Sequence, residues 1–151
     1  MGVYITTSKN PSPKTRTIGE ALSRLVPMSV NERRGSKSIE QIFKRAKLLG
    51  KSRVLFIYEK NGIPSKLCFM KVMAHSWQWI GEEISITQFR LHKIPKELPS
   101  ELITKGDRGK EFGELFDSCK PEGDEFVELK CDRHKLSFSC ENKLLMEMEL
   151  V

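Results

Sequence analysis

Apolar and polar positions alternate along this chain with two periods, and the switches between them mark out strands and helices. Residues 3–8, Val-Tyr-Ile-Thr-Thr-Ser, are β-branched and aromatic and predict a strand. In the polar loop that follows, Ser12 is placed to cap a helix. Pro13 takes its first position, where the missing N–H costs nothing. Ile18, Ala21, Leu22 and Leu25 fall at i, i+3, i+4 and i+7, one apolar helical face that Pro27 ends. Residues 28–33 predict a short strand. Ser38 and Gln41 form a capping box for a second helix, with Ile39, Ile42, Phe43, Ala46 and Leu49 along one face and Gly50 as its C-terminal stop. Residues 54–58 are apolar without alternation, which predicts a central strand covered on both faces. Asn61-Gly62 signals a hairpin that returns the chain through residues 67–72. The first half therefore reads β-α-β-α-β-β.

Residues 84–91 predict a strand, and residues 92–106, with Pro95 and Pro99, a connector. Phe112, Leu115, Phe116 and Cys119 repeat the helical spacing, with Asp107 as the expected cap. Val127/Leu129/Cys131, Leu136/Phe138/Cys140 and Leu144/Met146/Met148/Leu150 each alternate with more polar residues, which predicts an antiparallel meander with one wet face. Trp77 and Trp79 share one side of a strand. Packing against the other half is the preferred role for them, ahead of a base-stacking platform. Met70, Met73, Met146 and Met148 read as core filler. The expected architecture is an α/β fold, a single domain over residues 1–151 with two related lobes. Lobe one covers about 1–75 and lobe two about 76–151, each a β-sheet with helices, the second lacking one helix.

Charge divides the chain at the same place. Residues 1–75 carry fifteen Lys/Arg against four Glu, a balance of +11, and residues 76–151 carry eleven Lys/Arg against sixteen Asp/Glu, a balance of −5. A strongly basic half points to a phosphate-rich partner, although a solvated basic surface has the same composition. With 38% hydrophobic and 30% charged residues the composition is that of a globular protein. No apolar run approaches the roughly 20 residues that span a bilayer, and no secretory signal opens the chain. Met1 to Thr6 fits a loose myristoylation pattern, set aside because Gly2 leads straight into a strand. Cys68, Cys119, Cys131 and Cys140 form no Cys-x-x-Cys and stand at no zinc-finger spacing from histidine. They read as buried, reduced thiols of an intracellular protein.

Two strand-to-helix turns carry the candidate chemistry. In the first, Thr7, Ser8, Lys9, Ser12, Lys14, Thr15 and Arg16 surround a helix N-terminus, whose free N–H groups attract phosphate. Lys14 and Arg16 oppose the helix dipole there, which makes more sense beside a bound anion. The bland reading is a solvated loop whose hydroxyls only cap the helix. The second turn repeats the arrangement with Arg33, Arg34, Gly35 and Lys37, the glycine allowing close approach of the backbone to a ligand. In a parallel layout both turns open on one sheet edge. Lys44, Arg45, Lys47 and Lys51 on the second helix read first as a solvated face, and Lys44 and Lys47 as an extension of a phosphate track. His75, His92 and His134 are scattered, no phosphate loop or nucleophile elbow is present, and Asp132-Arg133-His134 reads as a hairpin tip. No enzyme, cofactor or metal is expected.

These motifs resemble the Brix-domain family of ribosome-assembly proteins, most like its short archaeal members. The resemblance rests on Thr6-Thr7-Ser8-Lys9 with Pro11-Ser12 and Thr15-Arg16, on Arg34-Gly35 with Lys37-Ser38, and on Asn61-Gly62-Ile63-Pro64. It covers about the first seventy residues; beyond Val72 it rests on element order. Asn31-Glu32-Arg33 departs from the more uniformly basic or apolar approach to Arg34 that the family suggests. The resemblance implies a non-enzymatic RNA-binding factor in rRNA processing and ribosomal subunit assembly. Its fold would be similar to two copies of the anticodon-binding domain of class IIa aminoacyl-tRNA synthetases. It further implies ribosomal RNA or pre-rRNA as partner, with ribosomal proteins or other assembly factors beside it, no membrane, a monomer and a cytoplasmic location. Two other functions fit the same residues: a scaffold whose acidic second lobe recruits ribosomal proteins, and a tRNA-binding module.

Overall fold

Among the described residues, nine strands and three helices follow one another as β1 (Val3–Thr7), α1 (Pro13–Leu25), β2 (Val30–Asn31), α2 (Ile39–Leu48), β3 (Arg53–Lys60), β4 (Ile63–Val72), β5 (Trp77–Leu91), β6 (Leu102–Lys105), α3 (Gly109–Leu115), β7 (Val127–Asp132), β8 (Lys135–Cys140) and β9 (Lys143–Leu150). The structure, a computed structural model, describes residues 2–118 and 120–151. Met1 and the expected end of the third helical stripe at Cys119 lie outside the described residues. The strands form one sheet in the order β2-β1-β3-β4-β5-β9-β8-β7-β6. β2, β1 and β3 are parallel, as are β6 and β7, and the other neighbours are antiparallel. Read inward from either side, β1-β3-β4-β5 and β6-β7-β8-β9 have the same pattern and meet at β5–β9.

The period-2 alternation of the strands divides the core. Val3, Ile5, Leu55, Ile57, Leu67 and Phe69 face α1 and join α3 and the meander in one apolar cluster. Tyr4, Val54, Phe56, Cys68 and Met70 face the other way, under Ile42, Phe43 and Ala46 of α2. Both faces of β3 are covered, which is why its apolar run shows no alternation. Burial holds the Cys68 thiol up to about 11 and the Cys131 thiol up to about 12, so both stay protonated. The helix boundaries follow their caps. Ser12 accepts from the Thr15 N–H, and Ser38 with Gln41 closes a reciprocal capping box.

Several expectations need correction. β5 is a single strand of fifteen residues in place of a strand confined to residues 84–91. Gly81, at φ +65°, accommodates the register shift against β4 and so keeps the pairing continuous. The change of partner from β4 to β9 falls within β5, between Ser85 and Ile86, beyond His75. The connector contains β6, whose Leu102 is buried beside Val127. Arg108, not Asp107, precedes α3, without a side-chain cap. In β9 a bulge against β8 buries both Leu145 and Met146 and leaves Leu144 half-exposed. Met73 is likewise half-buried and outside the core. Trp77 and Trp79 pack on the α2 side of the first half, not against the second: Trp79 meets Phe56 and the Trp77 indole N–H donates to Glu40. Among the described residues no helix is long and apolar enough to cross a membrane.

Candidate nucleic-acid interface

β1 and β2 run parallel, so the turns that leave them open on the same sheet edge. α1 and α2 lie on opposite faces, so the chain diverges there and leaves a crevice, the usual ligand position in an open parallel sheet. A cavity of about 310 Å³ fills it, lined by Thr7, Asn10, Arg16, Arg33, Arg34 and Gly35 together with the carboxylates of Glu20 and Glu32. Both turns are thus brought to one place. Gly35 has φ +56°, a left-handed turn that glycine adopts without strain, and open space around it.

The expected residues separate into two groups. Lys9, Lys14, Arg16, Arg33, Lys44 and Lys47 are exposed, and among the described residues none of them pairs with a carboxylate within 4.0 Å. The others belong to the frame. Thr7 is buried and its hydroxyl donates to the Ser8 carbonyl. Ser8 is half-buried; its Oγ is enclosed and among the described residues makes no hydrogen bond. The Ser12 hydroxyl donates to the Gly62 carbonyl at 2.7 Å, tying the first turn to the β3–β4 hairpin. Thr15 is buried and donates to Glu59 Oε2, which also accepts from the Ser12 N–H at 3.0 Å. Those bonds, from Thr15 first, hold the Glu59 carboxyl below its ordinary range. The anion beside the start of α1 is therefore the protein's own. Lys9, Lys14 and Arg16 are the cations that this turn leaves exposed.

Arg34 is the largest correction. It is only 6% exposed. Its Nε donates to the Lys37 carbonyl at 2.7 Å and its Nη1 to the Thr7 carbonyl at 3.0 Å, with the guanidinium over the Phe56 ring. It fastens the second turn to the end of β1 and does not face solvent. Lys37 is half-buried and turns its ammonium to the Arg33 carbonyl. The helix stripe is broken too: Arg45 binds Glu32 through two hydrogen bonds of 2.9 and 2.8 Å, and Lys51 donates to the Met28 carbonyl.

Sequence reasoning missed the roles of Glu32 and Glu59. The first half has only four acidic residues, and three of them, Glu32, Glu40 and Glu59, accept a hydrogen bond from a residue distant in sequence. Their scarcity was the available signal. Glu32 accepts from Tyr4 at 2.8 Å as well as from Arg45. The Arg45 hydrogen bonds, with Tyr4 adding to them against an opposing burial effect, push its carboxyl down to about 2. A depressed carboxyl contributes stability that is present above its unfolded value and is lost as pH falls through the folded one. Wild-type stability should therefore decline between about pH 4.5 and pH 2, and Glu32→Gln should flatten that part of the profile. Urea denaturation at a series of pH values measures it; parallel profiles would remove Glu32 from the acid response.

No protein-family model matches the chain. Over 79 residues it is 38% identical to a probable Brix domain-containing ribosomal biogenesis protein of Pyrococcus horikoshii, a match covering 52% of this chain and 35% of that protein. A relative of the same description from Pyrobaculum aerophilum is 34% identical over 122 residues, 76% of this chain and 67% of its own length. The crystal structure of a probable ribosomal biogenesis protein from Aeropyrum pernix K1 is similar throughout, with TM-score 0.86 and 20% identity over 99% of this chain and 94% of that one. Mil, an archaeal Imp4-like protein, is similar with TM-score 0.70 and 17% identity over 98% and 96% of the two chains. Sheet and helices thus define a mixed α/β protein with the fold of the Imp4-like proteins. The chain belongs to the Brix-domain family of ribosome biogenesis proteins. None of these relatives is named as an enzyme.

Proposed function

We propose that this protein is an RNA-binding ribosome biogenesis factor, holding ribosomal or precursor RNA by its phosphates while the RNA is processed and assembled into a subunit. The observation that carries the reading is the meeting of Arg16 and Arg33, from two different turns, across one crevice. Of the two carboxylates there, Glu32 is committed to Arg45 and Tyr4, and Glu20 stands one helical turn from Arg16. Lys9 and Lys14 extend the basic edge from the first turn, and Lys44 and Lys47 line the exposed side of α2. In this reading the halves are related lobes of one domain spanning residues 1–151, supported by the mirrored strand order.

Phosphate contacts release condensed counterions, so affinity falls with salt in proportion to their number. The double variant Arg16→Glu/Arg33→Glu should weaken binding to a structured rRNA fragment about tenfold at low salt, whatever its sequence. The slope of log Kd against log salt should shrink by about two. Fluorescence anisotropy over a salt series measures both. A slope equal to that of wild type would overturn the reading.

A further inference from the structure

We infer that the aromatic recess beyond α2, on β3–β5, receives one unpaired guanine base of the bound RNA. This rests on the RNA-binding reading above and names what the second face of the same region recognises. α2 covers the sheet only as far as Phe56, Cys68 and Met70. Past that edge a cavity of about 370 Å³ opens, walled by Tyr58, Cys68 and Trp79 and rimmed by Glu82 and Glu83. Trp79 is 44% exposed. Phe56 holds it edge-on at 5.5 Å and Trp77 at 5.3 Å, and the Trp77 indole is itself fixed to Glu40 at 3.0 Å. The Cys68 thiol stays neutral, so the floor offers no charge. A fixed, half-open ring over an uncharged floor suits the flat face of a base.

The rim chooses the base. Carboxylates only accept hydrogen bonds. Guanine alone presents two adjacent donors, N1–H and N2–H₂, on its pairing edge, whereas adenine, cytosine and uracil each present a single donor group there. Glu83 is shared with Lys66 at 3.0 Å. Among the described residues Glu82 has no ion pair within 4.0 Å. Two carboxylates repel phosphate, so a base and not the backbone enters. Packed side chains link the recess to the basic crevice: Arg34 lines the crevice and lies 5.5 Å over Phe56, whose ring stacks on Tyr58 at 6.0 Å.

The test uses three labelled pentaribonucleotides, UUGUU, UUAUU and UUUUU, titrated into the full chain by fluorescence anisotropy. The wild type should bind the guanine oligomer about tenfold more tightly than the other two. Trp79→Ala should erase that difference and Trp79→Phe retain most of it. Glu82→Gln/Glu83→Gln should reduce the preference while keeping binding. Equal affinity for the three oligomers, or a preference that survives Trp79→Ala, would overturn the inference. If the preference is absent while structured RNA still binds in an Arg16-dependent way, the base subsite fails and the RNA-binding reading stands. If Arg16→Glu/Arg33→Glu leaves the salt slope unchanged, the broader reading fails by its own measurement.

Discussion

Arg34→Ala is expected to lower the unfolding free energy by about 2–4 kcal/mol, whereas Arg16→Glu shifts it by less than about 0.5 kcal/mol. The two arginines stand in similar turns of the sequence, but only one is exposed. Truncating Arg34 removes the donors of the Thr7 and Lys37 carbonyls, and Thr7 is itself buried. A buried acceptor left without a donor costs about 1–3 kcal/mol, and the stacking on Phe56 is lost as well. Arg34→Lys should rescue little, because one ammonium cannot reproduce the planar fork that reaches both carbonyls. Thermal and urea unfolding followed by circular dichroism would show the contrast. An Arg34→Ala protein as stable as wild type would mean that its guanidinium serves a ligand and not the frame.

Arg53→Ala should be similarly costly, about 2–4 kcal/mol, while Glu114→Gln should cost less than about 1 kcal/mol. Arg53 opens β3 in the basic half, yet its partners lie in and just after α3. Its Nε donates to the Glu114 carbonyl and its Nη2 to the Glu114 carboxylate, both at 3.1 Å, with Asp117 at 3.8 Å. The Arg53 side chain is 5% exposed and that of Glu114 68%, which sets the asymmetry. Losing the arginine empties a buried volume and strips a donor from the C-terminal end of α3, where the dipole favours a cation. Losing the carboxylate leaves Arg53 its carbonyl and Asp117. Ser52 reinforces the clip by donating to Asp117 at 2.5 Å. Equal destabilisation by the two variants would show that the ion pair, and not the buried hydrogen bond and packing, holds α3 to β3.

Local signals told most about the first half. Ser12-Pro13, Ser38 with Gln41, the apolar run from Val54 and Asn61-Gly62 each determine the nearest few dihedrals without help from distant residues, and the observed elements begin and end near them. The second half was less legible for the same physical reason. β6 has four residues and exists by pairing with β7. The alternation at Leu144 slips at a bulge that only the β8 partner creates. Gly81 serves a register shift inside one long strand, which depends on the pairing with β4.

The candidate site shows the same division. The sequence by itself determined that hydroxyls and cations crowd two turns after parallel strands, and that the first 75 residues carry a surplus of positive charge. Only the tertiary structure decided which of those groups stay exposed and which are taken up by the protein's own partners. Glu59 comes from another strand to take the hydroxyl of Thr15, and Arg34 folds back on Thr7 and Phe56. Glu32 and Arg45 satisfy each other, and Arg16 and Arg33 are left facing one crevice. Spacing along a chain fixes which face of an element a side chain occupies. Burying a charge or a hydroxyl requires a partner, and that partner is supplied by whichever distant segment the sheet order brings alongside.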